Sequence, residues 1–538
     1  VTQGTQIDHV NYHRVGILPS ISWDIDEKTS LTILGSYMYT QGTGATASAQ
    51  YPIQGTLFTN NFAQIPRRNF LGFTNWNEES VKDAMFEYKF KHDFSQYIKF
   101  TQTFRWEKSD RHLKEAINDG SVSSSDVADQ YYYADYHHTI TDTVGMDARL
   151  FGKFSTGPIH HTWVVGSDFR QYNYNFQSTT SDVGDSIINV YNPGATKYTP
   201  CFNINSHSGC ANDLEITKYG YFQEGVYFQD QLKWKGITLI AGGRQDWVNT
   251  TTNGFSYSND NSSNTKKLED TTHKTQPQSA FTWRSGLTYQ FNFGLAPYFS
   301  YSTSFVPQTA TDYNGQPFAP LTGSQYEAGL KYRVPNHDIM VTASAFHILE
   351  NHYSIKDMQH SGYSTDAGTV KSQGFEVSVN GNITKQLRLV ASYSFTDVRF
   401  AKNNRTAKRV NPYTGETYGN AVSYEGMSVP YIPRNMASIF INYDIPKSFI
   451  KGISVNGGIR YMGSSYAGYV ESFKSPAYLL FDIGASYDFG TAMSALKGLK
   501  AQLAISNLTN KYYISSCDNY DCYVGQGRRV YGNLTYHW

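Results

Sequence analysis

The chain has 538 residues, of which 17% are charged, with a formal net charge of +0 and a mean hydropathy of −0.49. This balance excludes the basic face of a nucleic-acid-binding protein, and no apolar run approaches the ~18 residues of a spanning helix. The content of 43 Tyr, 32 Phe and 44 Gly is instead typical of a membrane β-barrel with aromatic girdles at both interfaces. A soluble β-sandwich or propeller is the alternative that composition leaves open.

Apolar and polar residues alternate along many segments, as in a strand with one apolar and one wet face. A hairpin in the first fifth of the chain has such apolar positions at Ala84, Phe86, Tyr88, Phe90, Ile98, Phe100, Phe104 and Trp106. The pattern recurs at Tyr326, Leu330, Ile453, Ile459, Tyr461, Phe481, Ile483 and Tyr487. A membrane barrel turns such faces to lipid and keeps a wet lumen. We therefore predict an all-β protein, a transmembrane antiparallel β-barrel over residues 1–538.

The connections between the predicted strands alternate in length. Short turns alternate with polar loops that run roughly over 43–80, 108–128, 177–216, 249–278, 308–323, 357–367 and 402–429. Short turns on one rim and long loops on the other are typical of outer-membrane barrels. The last strand ends on the aromatic Trp538, and this ending resembles the assembly signal of bacterial barrel proteins.

We count nineteen strand-like segments, the first over 8–25 and the last over about 526–538. Both run from the long-loop rim inward, so they cannot close an antiparallel sheet with each other. Bacterial single-chain barrels have even strand numbers, and an odd number of strands is therefore expected to be missing. Mitochondrial porins close at nineteen strands, but their small size and lack of long loops make them a poor match.

The four cysteines form two close pairs, Cys201 with Cys210 and Cys517 with Cys522. Even numbers at short spacing indicate local disulfides formed in an oxidising compartment. The alternative is a metal site, but His207 is the only further ligand near the first pair and the second pair has no histidine nearby. We therefore predict two disulfides and no metal. The chain starts in polar sequence, and we expect any secretion signal to have been removed.

A series of short stretches supports a more specific interpretation through their order and spacing. They are NVYNP (189–193), YFQDQ (227–231), GSQYEAG (323–329), SQGFEV (372–377), SNLTNKYY (506–513) and the loop with Cys517 and Cys522. Together they resemble the barrel of TonB-dependent siderophore receptors, especially those for hydroxamate siderophores such as ferrichrome. The resemblance implies 22 strands around a plug domain, so three strands would be missing from this chain. The family's plug and its energy-coupling box precede the barrel and are not in this chain, and coupling to TonB is implied by the resemblance alone.

The resemblance implies an active transporter of the bacterial outer membrane, in contact with lipid and lipopolysaccharide, whose ligand is a ferric siderophore and which needs no cofactor. A passive porin or a structural or adhesive barrel is the alternative. The sequence contains no GxSxG, HExxH or Walker motif, and we do not expect an enzyme.

Aromatic residues of the upper lumen are the candidate ligand site, because a ferric hydroxamate is a compact chelate with apolar edges. The alternation predicts that five of them point inward near the long-loop rim: Tyr131, Tyr133, Tyr172, Tyr174 and Phe176. The alternative is that they belong to the upper aromatic girdle. Inward basic residues could face an anionic plug or ligand, or simply line a hydrated wall: Lys89, Arg105, Arg170, Arg244, Arg333 and Arg460. Residues 42–48 lack the aromatics that touch the ligand in ferrichrome-type receptors, which argues against ferrichrome itself as the ligand and leaves the siderophore class.

Overall fold

A computed structural model describes most of the chain. The described residues are 2–43, 50–59, 63–123, 126–200, 211–260, 265–308, 312–314, 318–356, 364–366, 368–403, 405–446 and 451–537. Two short 3-10 helices, Phe489–Thr491 and Ser494–Leu496, are the helices of this part of the chain. Neither is long and apolar enough to cross a membrane.

Almost all of the described structure is one antiparallel sheet of 21 strands. They are β1 (Thr2–Gly4), β2 (Asn11–Ile17), β3 (Ser20–Asp26), β4 (Thr29–Thr43), β6 (Glu78–Asp93), β7 (Ile98–Ser123), β8 (Asp126–Thr156), β9 (Ile159–Asn189), β10 (Ala211–Trp234), β11 (Ile237–Asp260), β12 (Thr265–Tyr289), β13 (Leu295–Val306), β14 (Leu321–Arg333), β15 (Asp338–Asn351), β18 (Thr369–Asn382), β19 (Leu387–Lys402), β22 (Asn435–Asp444), β23 (Ile453–Met462), β26 (Tyr478–Asp488), β27 (Leu499–Ser506) and β30 (Arg529–Tyr536).

Small sheets form in the connections on the long-loop side. Their strands are β5 (Gln50–Pro52), β16 (Ser354–Lys356), β17 (Ser364–Asp366), β20 (Thr406–Val410), β21 (Thr417–Ser423), β24 (Ser465–Ala467), β25 (Phe473–Ser475), β28 (Ile514–Cys517) and β29 (Asp521–Val524). The pairs are β16 with β17, β20 with β21 and β24 with β25, while β28, β29 and β5 form a three-stranded sheet.

The number of spanning strands follows from the pairing. β2 and β3 pair with successive parts of β4, 37–43 and 29–34, so they are two segments of one strand interrupted at 18–19. β1 is a three-residue segment that pairs with β2 at the edge. Counting β2 and β3 as one strand and leaving out β1 reduces 21 to 19 (21 − 2), which agrees with the nineteen segments predicted from the sequence.

The two faces of the sheet differ as the alternation predicts. Glu87 forms ion pairs with both Lys89 and Arg105, which places these three polar side chains on one face. The side chains that alternate with the polar ones along the strands point to the other face. Examples are Phe86 (42% exposed) and Ile459 (40% exposed), which are not covered by a second sheet. This pattern excludes a sandwich and fits a wall with a wet lumen and a lipid-facing apolar band.

Three of the long connections are strand hairpins for much of their length. β7 and β8 continue to Ser123 and from Asp126, and comparable extensions lengthen β9 with β10 and β11 with β12. The predicted loops 108–128, 177–216 and 249–278 were therefore too long. Beyond the bilayer both faces of a hairpin meet water, so the alternation that marks a strand is lost although the hydrogen-bonded ladder continues.

The connections on the long-loop side share a core of their own. Tyr51, Ile53 and Phe73 are at most 1% exposed and belong to a cluster that includes Ile188 and both Cys517 and Cys522. The predicted disulfide between Cys517 and Cys522 is confirmed. Cys201 and Cys210 lie outside the described residues, so that pairing stays a prediction.

Segment 50–77 holds this core together. The Tyr51 hydroxyl donates to the carbonyl of Asn69 at 2.7 Å, and the Asn69 amide donates to the carbonyl of Val190 at 2.8 Å. Gln50 Nε2 donates to Asp521 at 2.9 Å, and burial raises the pKa of Asp521 to about 7. The segment therefore links connections from well-separated strands on the long-loop side.

Candidate ligand site

Five aromatic side chains form a continuous surface across β9 and β10. These residues, called the aromatic panel below, are Tyr172, Tyr174, Phe176, Tyr219 and Tyr221. The register places Tyr174 opposite Tyr219 and Tyr172 opposite Tyr221. Ring centroids lie 5.3 Å apart for Tyr172 and Tyr221, and 6.1 Å apart for Tyr174 and Phe176. All five are half-buried, so each ring has a free surface that a ligand can cover.

The aromatic panel lies on the lumen face. Tyr172, Tyr174 and Phe176 have the same parity on β9 as Asp168, whose carboxylate accepts a hydrogen bond from Arg244 on β11 at 2.8 Å. Phe169, of opposite parity, packs against Phe222 with centroids 6.1 Å apart on the other face. Because β9 rises from the short turn at 157–158, the panel lies above Asp168, Tyr172 by about 13 Å along the strand.

A few charged groups border the aromatic panel. The Arg170 guanidinium lies 5.9 Å from the ring centroid of Tyr221, within cation–π range. On the neighbouring strands Arg111 pairs with Glu79 at 2.8 Å, and the His137 ring lies 5.2 Å from that of Phe176. The surface is thus mainly aromatic with isolated polar groups, a composition suited to a compact ligand with apolar edges.

Below the panel lies a charged cluster that we define as Asp147, Asp168, Tyr227, Arg244 and Asp246. Arg244 Nη2 donates to Asp168 at 2.8 Å and Nε donates to Asp246 at 2.8 Å, while the Tyr227 hydroxyl donates to Asp147 at 2.6 Å. Gly225 faces the guanidinium, and any side chain at that position would collide with it. The cluster ties four adjacent strands together on the lumen side.

The structure brings together three of the five predicted site residues. Tyr172, Tyr174 and Phe176 belong to the aromatic panel, whereas Tyr133 lies six residues from Thr139, the partner of Phe176 on β8. That separation is about 20 Å along the strand. Tyr131 lies farther still, beyond a register shift at 132–134. The five residues therefore do not form one surface, and a ligand role for each of them stays a prediction.

Sequence reasoning missed Tyr219 and Tyr221. They alternate with Gly220 and Phe222, so the signal was present in the local pattern. Their role depends on the register between β9 and β10, which pairs Tyr219 with Tyr174, 45 positions away, and Tyr221 with Tyr172, 49 positions away, and which is set by the sheet as a whole.

The predicted inward basic residues are mostly paired with acids on the same wall. Arg244 bridges two aspartates, and Arg460 Nε donates to Asp482 at 2.6 Å. Such pairing favours the hydrated-wall interpretation over a surface that would attract an anion.

Comparison with known proteins agrees with this architecture. A family model described as "TonB dependent receptor-like, beta-barrel" matches residues 22–508. The chain belongs to this family. It is therefore an outer-membrane protein of the receptor and transporter type, as the resemblance in the sequence implied.

Named relatives of this TonB-dependent receptor cover nearly all of the chain. The ferrichrome outer membrane transporter/phage receptor of Escherichia coli K12 is 28% identical over 543 residues, which is 98% of this chain and 67% of that protein. The ferrioxamine B receptor of Salmonella typhimurium SL1344 is 27% identical over 536 residues, which is 99% of this chain and 69% of that protein.

Solved structures share the fold. The siderophore receptor PiuA of Acinetobacter baumannii matches with a TM-score of 0.77 at 20% identity, covering 100% of this chain and 76% of that one. The closed form of the ferric-catecholate import receptor Fiu of E. coli K12 gives 0.76 at 19% identity, covering 99% and 76%. At these identities the comparison establishes the barrel architecture alone.

Proposed function

We propose that this TonB-dependent receptor takes up a ferric siderophore of the hydroxamate type across the outer membrane. The main support for the proposal is the aromatic panel, a surface of aromatic side chains on the lumen face with few charged groups. Two relatives at 27–28% identity are named for ferrichrome and ferrioxamine B, and both of those ligands are ferric hydroxamates. A passive porin would need no such surface.

The aromatic panel supports binding by ring contact rather than by charge. Ring faces pack against the apolar edges of a chelate, and each such contact contributes about 0.5–1.5 kcal/mol. Arg170, held over Tyr221, is placed to donate hydrogen bonds to hydroxamate oxygens at the edge of that surface. Binding of the siderophore makes and breaks no covalent bond, so the proposal includes no catalytic residue and no cofactor. Release into the periplasm would draw on TonB, as for the family in general.

Deleting the gene should abolish growth on at least one ferric hydroxamate as sole iron source, because the compact chelate would have no other route of energised entry. Growth on ferric citrate and on inorganic iron provides the control, and restoring the gene should restore growth. Iron starvation should also raise the amount of the protein. Unchanged growth across a panel of ferric siderophores would instead favour the porin or another substrate class.

The edges of the sheet motivate a second proposal, concerning the domain content of the native barrel. Among the described residues β30 pairs only with β27 on one edge, and the other edge is formed by β1 and β3. An open strand edge in hydrocarbon costs several kcal/mol per unpaired backbone group, so we propose that further strands complete the barrel. The resemblance to receptors with 22 strands around a plug sets the number of these strands at three and adds the plug. The intact mass of the purified protein tests this: it should exceed 60.7 kDa by a plug and three strands, and a mass near that value would contradict it.

A further inference from the structure

Two histidines and an aspartate converge on the outer face of β7 and β8. His112 and His138 are directly opposite each other in the register, with ring centroids 4.0 Å apart and planes at 14°. Their Nε2 atoms lie 3.3 Å and 2.9 Å from the same carboxylate oxygen, Oδ1 of Asp110. One ligand atom from each residue lies within 4.8 Å of the others.

The position of this cluster keeps it outside the hydrocarbon. Asp110 and His112 have the same parity on β7 as Phe104 and Trp106, and so lie on the face opposite the aromatic panel. On β7 the apolar positions of that face end at Trp106, and Asp110 lies about 13 Å farther along the strand, while on β8 Ile140 lies opposite Asp110. The side chains of His112, Asp110 and His138 are 38%, 30% and 28% exposed, so an ion can reach them from water.

We propose that Asp110, His112 and His138 form a binding site for a divalent transition metal of the zinc class. Two imidazole nitrogens and one carboxylate oxygen are a ligand set that such metals prefer. In a tetrahedral site with metal–ligand bonds of about 2.05 Å, the ligand atoms lie about 3.3 Å apart. The 2.9 Å and 3.3 Å nitrogen–oxygen separations are near that value, and one ring nitrogen of each histidine lies within 4.8 Å of the other.

A contact behind the ligands supports the same conclusion. His112 Nδ1 lies 2.8 Å from the Tyr136 hydroxyl. When Nδ1 carries the proton and donates it to this hydroxyl, Nε2 keeps its lone pair, which faces Asp110. Metal-binding histidines are commonly fixed in this way through their second nitrogen. A bound metal would join β7 to β8 above the membrane and stabilise the long hairpin.

A second group of possible ligands, Glu115, Asp135 and His137, is explained without a metal. Asp135 accepts hydrogen bonds from the hydroxyls of Ser178 and Thr180 at 3.3 Å and 3.4 Å, and it pairs with His137 at 2.7 Å. Its carboxylate is therefore already satisfied. Since His137 is adjacent to His138 but points to the opposite face, it supplies a matched control.

The test uses the purified full-length protein after treatment with a chelator. Titration with Zn²⁺ is monitored by calorimetry, and titration with Co²⁺ is monitored by its absorption, which reports tetrahedral coordination. We expect one site, with affinity lowered at least 10-fold by His138→Gln and by His112→Gln but unchanged by His137→Gln. Heat-modifiable migration in gels would show that each variant is folded. Absence of saturable binding, equal binding by all variants, or loss in His137→Gln alone would each overturn the proposal.

Discussion

Replacing Tyr172 and Tyr221 together by alanine should raise the Kd for a ferric hydroxamate roughly 5- to 150-fold. The two rings stand side by side at 5.3 Å on the lumen face, and each contributes about 0.5–1.5 kcal/mol of ring contact, or about 1–3 kcal/mol together. Quenching of intrinsic fluorescence during titration of the purified protein measures the Kd. The variant with both residues changed to phenylalanine should bind nearly as well as the native protein, because it keeps the rings.

The opposite face of the same two strands supplies the matched control. Phe169 and Phe222 pack against each other with centroids 6.1 Å apart, on the face that we assign to lipid. Their double replacement by alanine removes as much aromatic surface from β9 and β10 without touching the lumen. Equal loss of binding in the two double variants would show that the effect comes from sheet stability and not from ligand contact.

Replacing Arg244 by methionine should lower the free energy of unfolding by about 3–5 kcal/mol, because removal of one partner leaves buried charge uncompensated. The Asp246 side chain is only 4% exposed, so water would compensate its carboxylate poorly once the guanidinium is gone, whereas Asp168 is 24% exposed and would be hydrated in part. Denaturant unfolding of the protein in lipid vesicles, followed by tryptophan fluorescence, measures the change.

Arg460→Met is the comparison for this effect. Arg460 also pairs with an aspartate on the barrel wall, but its side chain is 50% exposed. Exposed ion pairs contribute about 0–1 kcal/mol, so this variant should unfold almost as the native protein does. If Arg460→Met were as damaging as Arg244→Met, burial of the charged cluster would not explain its role.

The barrel wall was predictable because a membrane imposes one strict pattern on every strand. Phe86 and Tyr88 alternate with Glu87 and Lys89, since lipid and water lie on opposite sides of a single layer. The same constraint gave the strand count and placed Tyr172, Tyr174 and Phe176 on the lumen face. Family membership was predictable from short stretches whose order runs along most of the chain.

What the sequence did not reveal depends on register and on structure beyond the bilayer. Tyr133 has the predicted parity, but its height above the aromatic panel follows from strands whose extensions carry no alternation. Tyr219 and Tyr221 join the panel only through pairing with β9. His112 lies within a loop predicted from the sequence, and its position opposite His138 likewise depends on the register between β7 and β8.

The most direct test of the central claim is titration of the purified native protein with ferric hydroxamates, with ferrichrome and ferrioxamine B among them. We predict saturable binding of at least one, competition between hydroxamates, and weaker binding by the Tyr172→Ala, Tyr221→Ala double variant. Absence of saturable binding to every ferric siderophore tested, with the protein folded, would contradict the assignment of this barrel to siderophore uptake.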